Sequence, residues 1–104
     1  MGERTAHVVA GDIGETLTSL ATTIRERRGA SVEDSYTARL FANPDKALGK
    51  VAEEAAEVIM AAKDEDHDHL RYEAGDLLYH LLVVLDLHEV GLDELAGELN
   101  DRMR

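Results

Sequence analysis

Apolar residues recur every three or four positions along most of this chain, and each run is bounded by residues that start or stop helices. Ile13, Leu17, Leu20 and Ile24 follow Asp12, an N-cap residue with Glu15 three positions on, as in a capping box. The predicted first helix runs to about Arg27 and stops near Gly29, with Arg25, Arg27 and Arg28 where the helix dipole favours cations. Residues 31–35 read as a loop, and SYTARLF as a short helix or turn carrying Tyr36, Leu40 and Phe41. Asn43 and Pro44 suit the cap and first position of a third helix reaching Lys63. Its apolar stripe is narrow and rich in alanine: Leu48, Val51, Ala55, Val58, Ile59 and Ala62. The polar run DEDHDH breaks the pattern.

A long helix is then predicted from about Asp66 to Val90, with Leu70, Ala74, Leu77, Leu78, Leu81, Val84 and Leu85 inward. Leu82, Val83 and Leu87 make its second half apolar almost all round, the pattern of a helix buried on several sides, including against another subunit. Gly91 suits a helix stop, and Asp93 the cap of a last helix bearing Leu95 and Leu99. No strand pattern competes. The expectation is an all-α domain over residues 12–104, after a lead-in at 1–11. It is an antiparallel helical bundle of about four to five helices, assembling as a homodimer or larger homo-oligomer.

Composition narrows the chemistry. The 104 residues include no cysteine, which removes disulfides and thiolate metal sites. No leader and no membrane-length apolar run is visible, so the chain reads as a soluble cytoplasmic protein without a membrane partner. A formal charge of −11 argues against nucleic acid as partner. A small anionic substrate would need local cations and a metal.

The sequence supplies such a place. Glu53, Glu54 and Glu57 form an E-E-x-x-E cluster on the third helix, and Glu73 and Asp76 an E-x-x-D cluster on the fourth. Carboxylates one turn apart repel, and two such faces packed together repel more strongly unless a cation lies between them. Oxygen ligands of this kind suit Mg²⁺, with Mn²⁺ as a possible substitute. Each cluster lies at a similar distance from the DEDHDH turn, so antiparallel packing brings them opposite each other. Lys46 and Lys50 share the stripe of the first cluster, placed to hold phosphate charge beside a metal. The bland alternative is i,i+4 pairing of Lys50 with Glu54 on a solvated face. His80 is placed to order Asp76, to touch substrate, or to sit satisfied in the core. His67, His69 and His88 read as surface residues, Asp86 as paired at a subunit contact, and Tyr36 and Phe41 as core or nucleobase contacts.

The two-cluster pattern resembles the all-α nucleoside triphosphate pyrophosphatase superfamily, the MazG-like and dimeric dUTPase group. More closely, SYTARLF, DKALGKVAEEAAEVIMAAKDED and EAGDLLYHLLVVL resemble phosphoribosyl-ATP pyrophosphohydrolases of histidine biosynthesis, over about residues 13–100. Gly49, Ala52 and Gly75 depart from the usual residues without removing a carboxylate or lysine. The resemblance implies Mg²⁺-dependent hydrolysis of the triphosphate of 1-(5-phosphoribosyl)-ATP, the small-molecule nucleotide substrate, without a covalent intermediate. It implies Glu54, Glu57, Glu73 and Asp76 as metal ligands and Glu53 as the acid that orients water, accepts its proton or holds a second ion. Lys46 and Lys50 match phosphate-facing positions, and Arg39 and Tyr36 lie near the substrate. Relatives are dimers or larger. Two other readings share these features: a general (d)NTP pyrophosphatase, and a non-catalytic helical dimerisation module.

Overall fold

The computed structural model describes residues 8–104 and contains α1 (Ile13–Arg27), α2 (Tyr36–Ala42), α3 (Pro44–Lys63), α4 (His67–Leu87) and α5 (Leu92–Asp101). Among the described residues there is no strand, so the all-α expectation holds. Residues 1–7 of the expected lead-in lie outside the described residues, and 8–11 are exposed and non-helical. No helix of the described residues is long and apolar enough to cross a membrane.

Side-chain caps start four helices. The carboxylates of Asp12 and Asp66 accept from the backbone N–H groups of Glu15 and His69 at 3.0 and 3.1 Å. Ser35 accepts from Ala38 at 3.1 Å, and Asn43 from Lys46 at 3.4 Å. Each cap stabilises its helix by about 1 kcal/mol relative to alanine. The ends of α3 and α4 close on non-glycine residues in the left-handed region, Glu65 (φ 56°) and Glu89 (φ 60°). In both, the next residue reaches back to a carbonyl of the last turn: Asp66 to Ala61 at 3.2 Å and Val90 to Leu85 at 2.9 Å. This corrects the predicted stop at Gly91. α4 ends earlier, and Gly91 is instead the extended N-cap of α5, leaving Asp93 inside the first turn rather than capping it.

α3 and α4 are the main packed pair, joined by the turn at 64–66 and therefore antiparallel. On α3 the buried positions are Ala47, Glu54 and Ala61, with half-buried Val51 and Val58 between them, a four-three spacing that faces one neighbour. Ala47 and Ala61 let the helices approach closely. Leu48 and Ile59, each one position round from that seam, are therefore turned outward and are 50% and 63% exposed. Leu78, expected inward, is 39% exposed.

The apolar core gathers where α1 and α2 pack on this pair. Ile24, Leu40, Ala47, Leu82 and Val83 are its buried centre, with Leu17, Leu20, Phe41 and Tyr79 against it. Burying an Ile or Leu side chain stabilises by roughly 1.5–3 kcal/mol, so Ile24 and Leu40 anchor α1 and α2. Asp86, expected at a subunit contact, is paired within the chain. Arg25 lies 2.7 Å and Arg28 3.2 Å from its carboxylate, because the last turn of α1 runs beside the last turn of α4. The bond to Asp86 holds the Arg25 guanidinium above its ordinary pKa.

Candidate active site

The middle of the α3–α4 seam is filled by carboxylates where a core would place leucines. Glu54 and Glu73 are 7% and 6% exposed. Glu54, Glu73 and Asp76 present oxygens within 4.8 Å of one another, and Glu57, His69 and Glu73 form a second group of the same dimension. Glu73 belongs to both. The cause is register: the antiparallel pair sets Glu54 against Glu73 and Asp76 and Glu57 against Glu73, and i,i+3 spacing on each helix keeps both acids toward the partner helix.

Burial, before anything else, pushes the Glu54 carboxyl up to about 7 from 4.5. Its hydrogen bond with Glu73 and the charges of Asp76 and Glu73 push the same way, while Lys50 opposes them. The Lys50 ammonium lies 3.9 Å from Glu54 and 3.6 Å from Glu53. The Glu53 charge is the largest cause holding that ammonium above its ordinary pKa. Glu53 itself points outward, its side chain 67% exposed, and is in neither carboxylate group.

His69 is a member of the site that the sequence reading left on the surface. Its ring is 18% exposed, 3.0 Å from Glu73 and 4.0 Å from Glu57. It stands one turn before Glu73 on the acid stripe, and that i,i+4 relation was the available signal.

A second group of side chains borders the acids. Tyr36 of α2 is half-buried, and Lys46 and Arg39 lie 5.4 and 5.8 Å from its ring centre. Burial raises the Tyr36 phenol above its ordinary pKa, so it is a neutral hydroxyl at pH 7. Arg39 also donates to the Val32 carbonyl at 2.8 Å, tying it to the loop before α2. His80, 5% exposed, meets the Tyr36 hydroxyl at 2.9 Å. Phe41 packs on the core with Arg28 4.9 Å above its ring.

The donor set is hard and anionic. Carboxylates crowded into a buried seam, one of them holding its proton to about neutral pH, form an arrangement that a divalent cation relieves. Oxygen-only donors at Glu54, Glu73 and Asp76 fit Mg²⁺, and His69 beside Glu57 and Glu73 is compatible with Mn²⁺. Lys46, Lys50 and Arg39 add cations on the same side of α3.

Comparison with known proteins agrees with this chemistry. The model of the family described as phosphoribosyl-ATP pyrophosphohydrolase matches residues 17–103. The chain is 49% identical to a phosphoribosyl-ATP pyrophosphatase of Rhodobacter capsulatus, over 83% of this chain and 84% of that protein. It is 40% identical to one of Haloarcula marismortui, over 90% and 99%. It is 44% identical to a histidine biosynthesis bifunctional protein HisIE of Nostoc sp., over 99% of this chain and 50% of that protein. The chain thus spans about half the length of that bifunctional relative. With the match covering all of α3 and α4, where the buried acids stand, the chain belongs to the phosphoribosyl-ATP pyrophosphohydrolase family.

Proposed function

We propose that this protein hydrolyses 1-(5-phosphoribosyl)-ATP to 1-(5-phosphoribosyl)-AMP and pyrophosphate, the second step of histidine biosynthesis, in the cytoplasm. One observation carries the reading: in a chain of this family, carboxylates from two helices, Glu54 with Glu73 and Asp76 and Glu57 with Glu73, converge around a seam where Glu54 and Glu73 are buried and Lys50 stands alongside. Residues 12–104 act as the single catalytic unit. Glu54, Glu57, Glu73 and Asp76 would hold Mg²⁺, or Mn²⁺ in its place. When bound, the cation supplies Lewis-acid stabilisation of charge on the phosphoryl oxygens.

The chain's own groups do the rest. Lys50 and Lys46 hold the polyphosphate by charge, and Arg39 and the Tyr36 ring border the nucleotide. A water oxygen bonds to the α-phosphorus as the α–β bridging bond breaks, and pyrophosphate leaves. Glu53, exposed beside Lys50, accepts the water's proton. No side chain forms a bond to phosphorus.

Assembly follows from the outward apolar stripe. Leu48, Ala55 and Ile59 on α3 recur at seven- and four-residue spacing and Ala74, Leu78 and Leu81 on α4 at four- and three-residue spacing, and a second copy of the chain covers them in a homodimer or larger oligomer.

The test is pyrophosphate release from phosphoribosyl-ATP with Mg²⁺, against a panel of (d)NTPs. Preference for phosphoribosyl-ATP supports the assignment. Preference for a (d)NTP would place the chain with the nucleotide-pool enzymes. The absence of any hydrolysis, together with no Mg²⁺-dependent stabilisation, would leave a dimerisation module.

A further inference from the structure

We infer that Tyr36 and His80 form a positioning pair, which holds the turn of α4 carrying Asp76 in register with the cationic edge of α2 and α3. The inference rests on the functional reading of Asp76 given above.

The Asp76 carbonyl fixes one end of the hydrogen bonding. His80 Nδ1 lies 2.9 Å from the Asp76 carbonyl oxygen. A carbonyl only accepts, so Nδ1 carries the hydrogen. In the neutral ring Nε2 is then an acceptor, and the Tyr36 hydroxyl, 2.9 Å away, donates to it. Both ring nitrogens are engaged within the chain. Tyr79 and Tyr36 enclose the ring edge-on at 4.9 and 5.9 Å.

The chain of bonds therefore starts on α2 and ends on the backbone from which the Asp76 carboxylate projects. A leucine would fill the same buried space without two ring nitrogens to satisfy. A second link runs parallel to the first, where the Tyr79 and Thr37 hydroxyls are hydrogen-bonded. α2 is only seven residues long, and Lys46 and Arg39 both lie near the centre of its Tyr36 ring, at 5.4 and 5.8 Å. Hydroxyl bonds to α4 give that short helix a defined rotation, and so set its Tyr36 and Arg39 relative to Lys46 on α3 and Asp76 on α4.

Three variants separate this from ordinary packing. Tyr36→Phe removes the hydroxyl and keeps the ring. His80→Asn keeps a donor for the Asp76 carbonyl and loses the Tyr36 bond. The third variant combines both. Mn²⁺ affinity is measured by calorimetry on nucleotide-free protein, thermal unfolding on the same samples, and the His80 tautomer by ¹⁵N spectroscopy on the wild type. Each single variant should weaken Mn²⁺ binding about tenfold, and the double variant no further than either single one. In steady state, kcat should fall more than KM changes. Mn²⁺ affinity within about twofold of wild type with only a lowered Tm, additive losses in the double variant, or hydrogen on Nε2 would overturn the pairing. A wild type that binds Mn²⁺ and releases no pyrophosphate, with affinity still lost in the variants, would sink the proposed reaction and support the pair.

Discussion

Glu54 on α3 and Glu73 on α4 bring carboxyl oxygens within 4.8 Å of each other in the buried seam. Burial first, and Glu73 and Asp76 beside it, favour a protonated Glu54, and this makes the metal-free fold sensitive to pH. The Glu54 pKa is raised in the folded chain, from 4.5 to about 7. The folded state therefore binds that proton more tightly than the unfolded state does. The stabilisation is fully present below pH 4.5 and is lost as pH rises through about 7. With chelator present, stability should fall across that window by roughly 3 kcal/mol, read as a falling Tm. Glu54→Gln, which is permanently neutral, should flatten this part of the profile. A wild-type Tm that climbs from pH 5 to pH 8 without metal, with the same slope in the variant, would contradict the protonated Glu54.

Metal binding reverses the sign. A cation needs the carboxylates ionised, so binding below pH 7 must release the Glu54 proton. Calorimetry in buffers of different ionisation enthalpy should show proton release that fades above pH 8. Mg²⁺ should raise Tm more at pH 8 than at pH 6.

Glu54→Gln and Asp76→Asn should each lower kcat by at least about 100-fold, the upper end of what loss of a supporting partner costs a metal site. Helical circular dichroism should be unchanged. Wild-type rates in both would remove these residues from the machinery.

Lys50→Ala should act on substrate more than on metal. The ammonium lies between Glu53 and Glu54, and its loss removes the nearest positive charge from the polyphosphate path. A drop in kcat/KM of roughly tenfold, with Mg²⁺ affinity within a few-fold of wild type, is the expected pattern. An unchanged kcat/KM would show that the lysine only pairs with its acidic neighbours. Glu53→Gln should lower kcat by about 10²-fold or more if Glu53 is the proton acceptor.

The buried acids were legible in the sequence because residue spacing on a helix is rigid. Once the turn after Lys63 is recognised, Glu54 has little choice but to meet Asp76. His69 was hidden because it sits in the polar run DEDHDH, and composition there suggests solvent. Yet the cap at Asp66 already places His69 in the first turn of α4, one turn before Glu73, so its ring turns toward that acid. The stop at Gly91 was misplaced for a related reason. Glycine is the residue that accepts a left-handed turn most readily, but closing the Leu85 carbonyl required that conformation at Glu89. The outward turn of Leu48 and Ile59 depends on which alanines contact α4, and one position of rotation moves an apolar side chain from seam to surface. The partners of Asp86, Arg25 and Arg28, are remote in sequence, so its local pattern gives no sign that they lie in the same chain.

That rotation leads to the last prediction. Leu48, Ile59 and Leu78 are 50%, 63% and 39% exposed on the pair of helices that carries the site. Large aliphatic side chains on helices so well packed elsewhere are explained if another copy of the chain covers them. Ile59→Glu should therefore shift light-scattering mass from oligomer to monomer, and α3 itself should stay helical because the position faces outward. Activity should fall with assembly, since the interface supports the helices that present Glu54, Glu57, Glu73 and Asp76. A variant with unchanged mass would place the contact elsewhere. A wild type that is monomeric at micromolar concentration would remove the second copy altogether and leave these residues as ordinary surface.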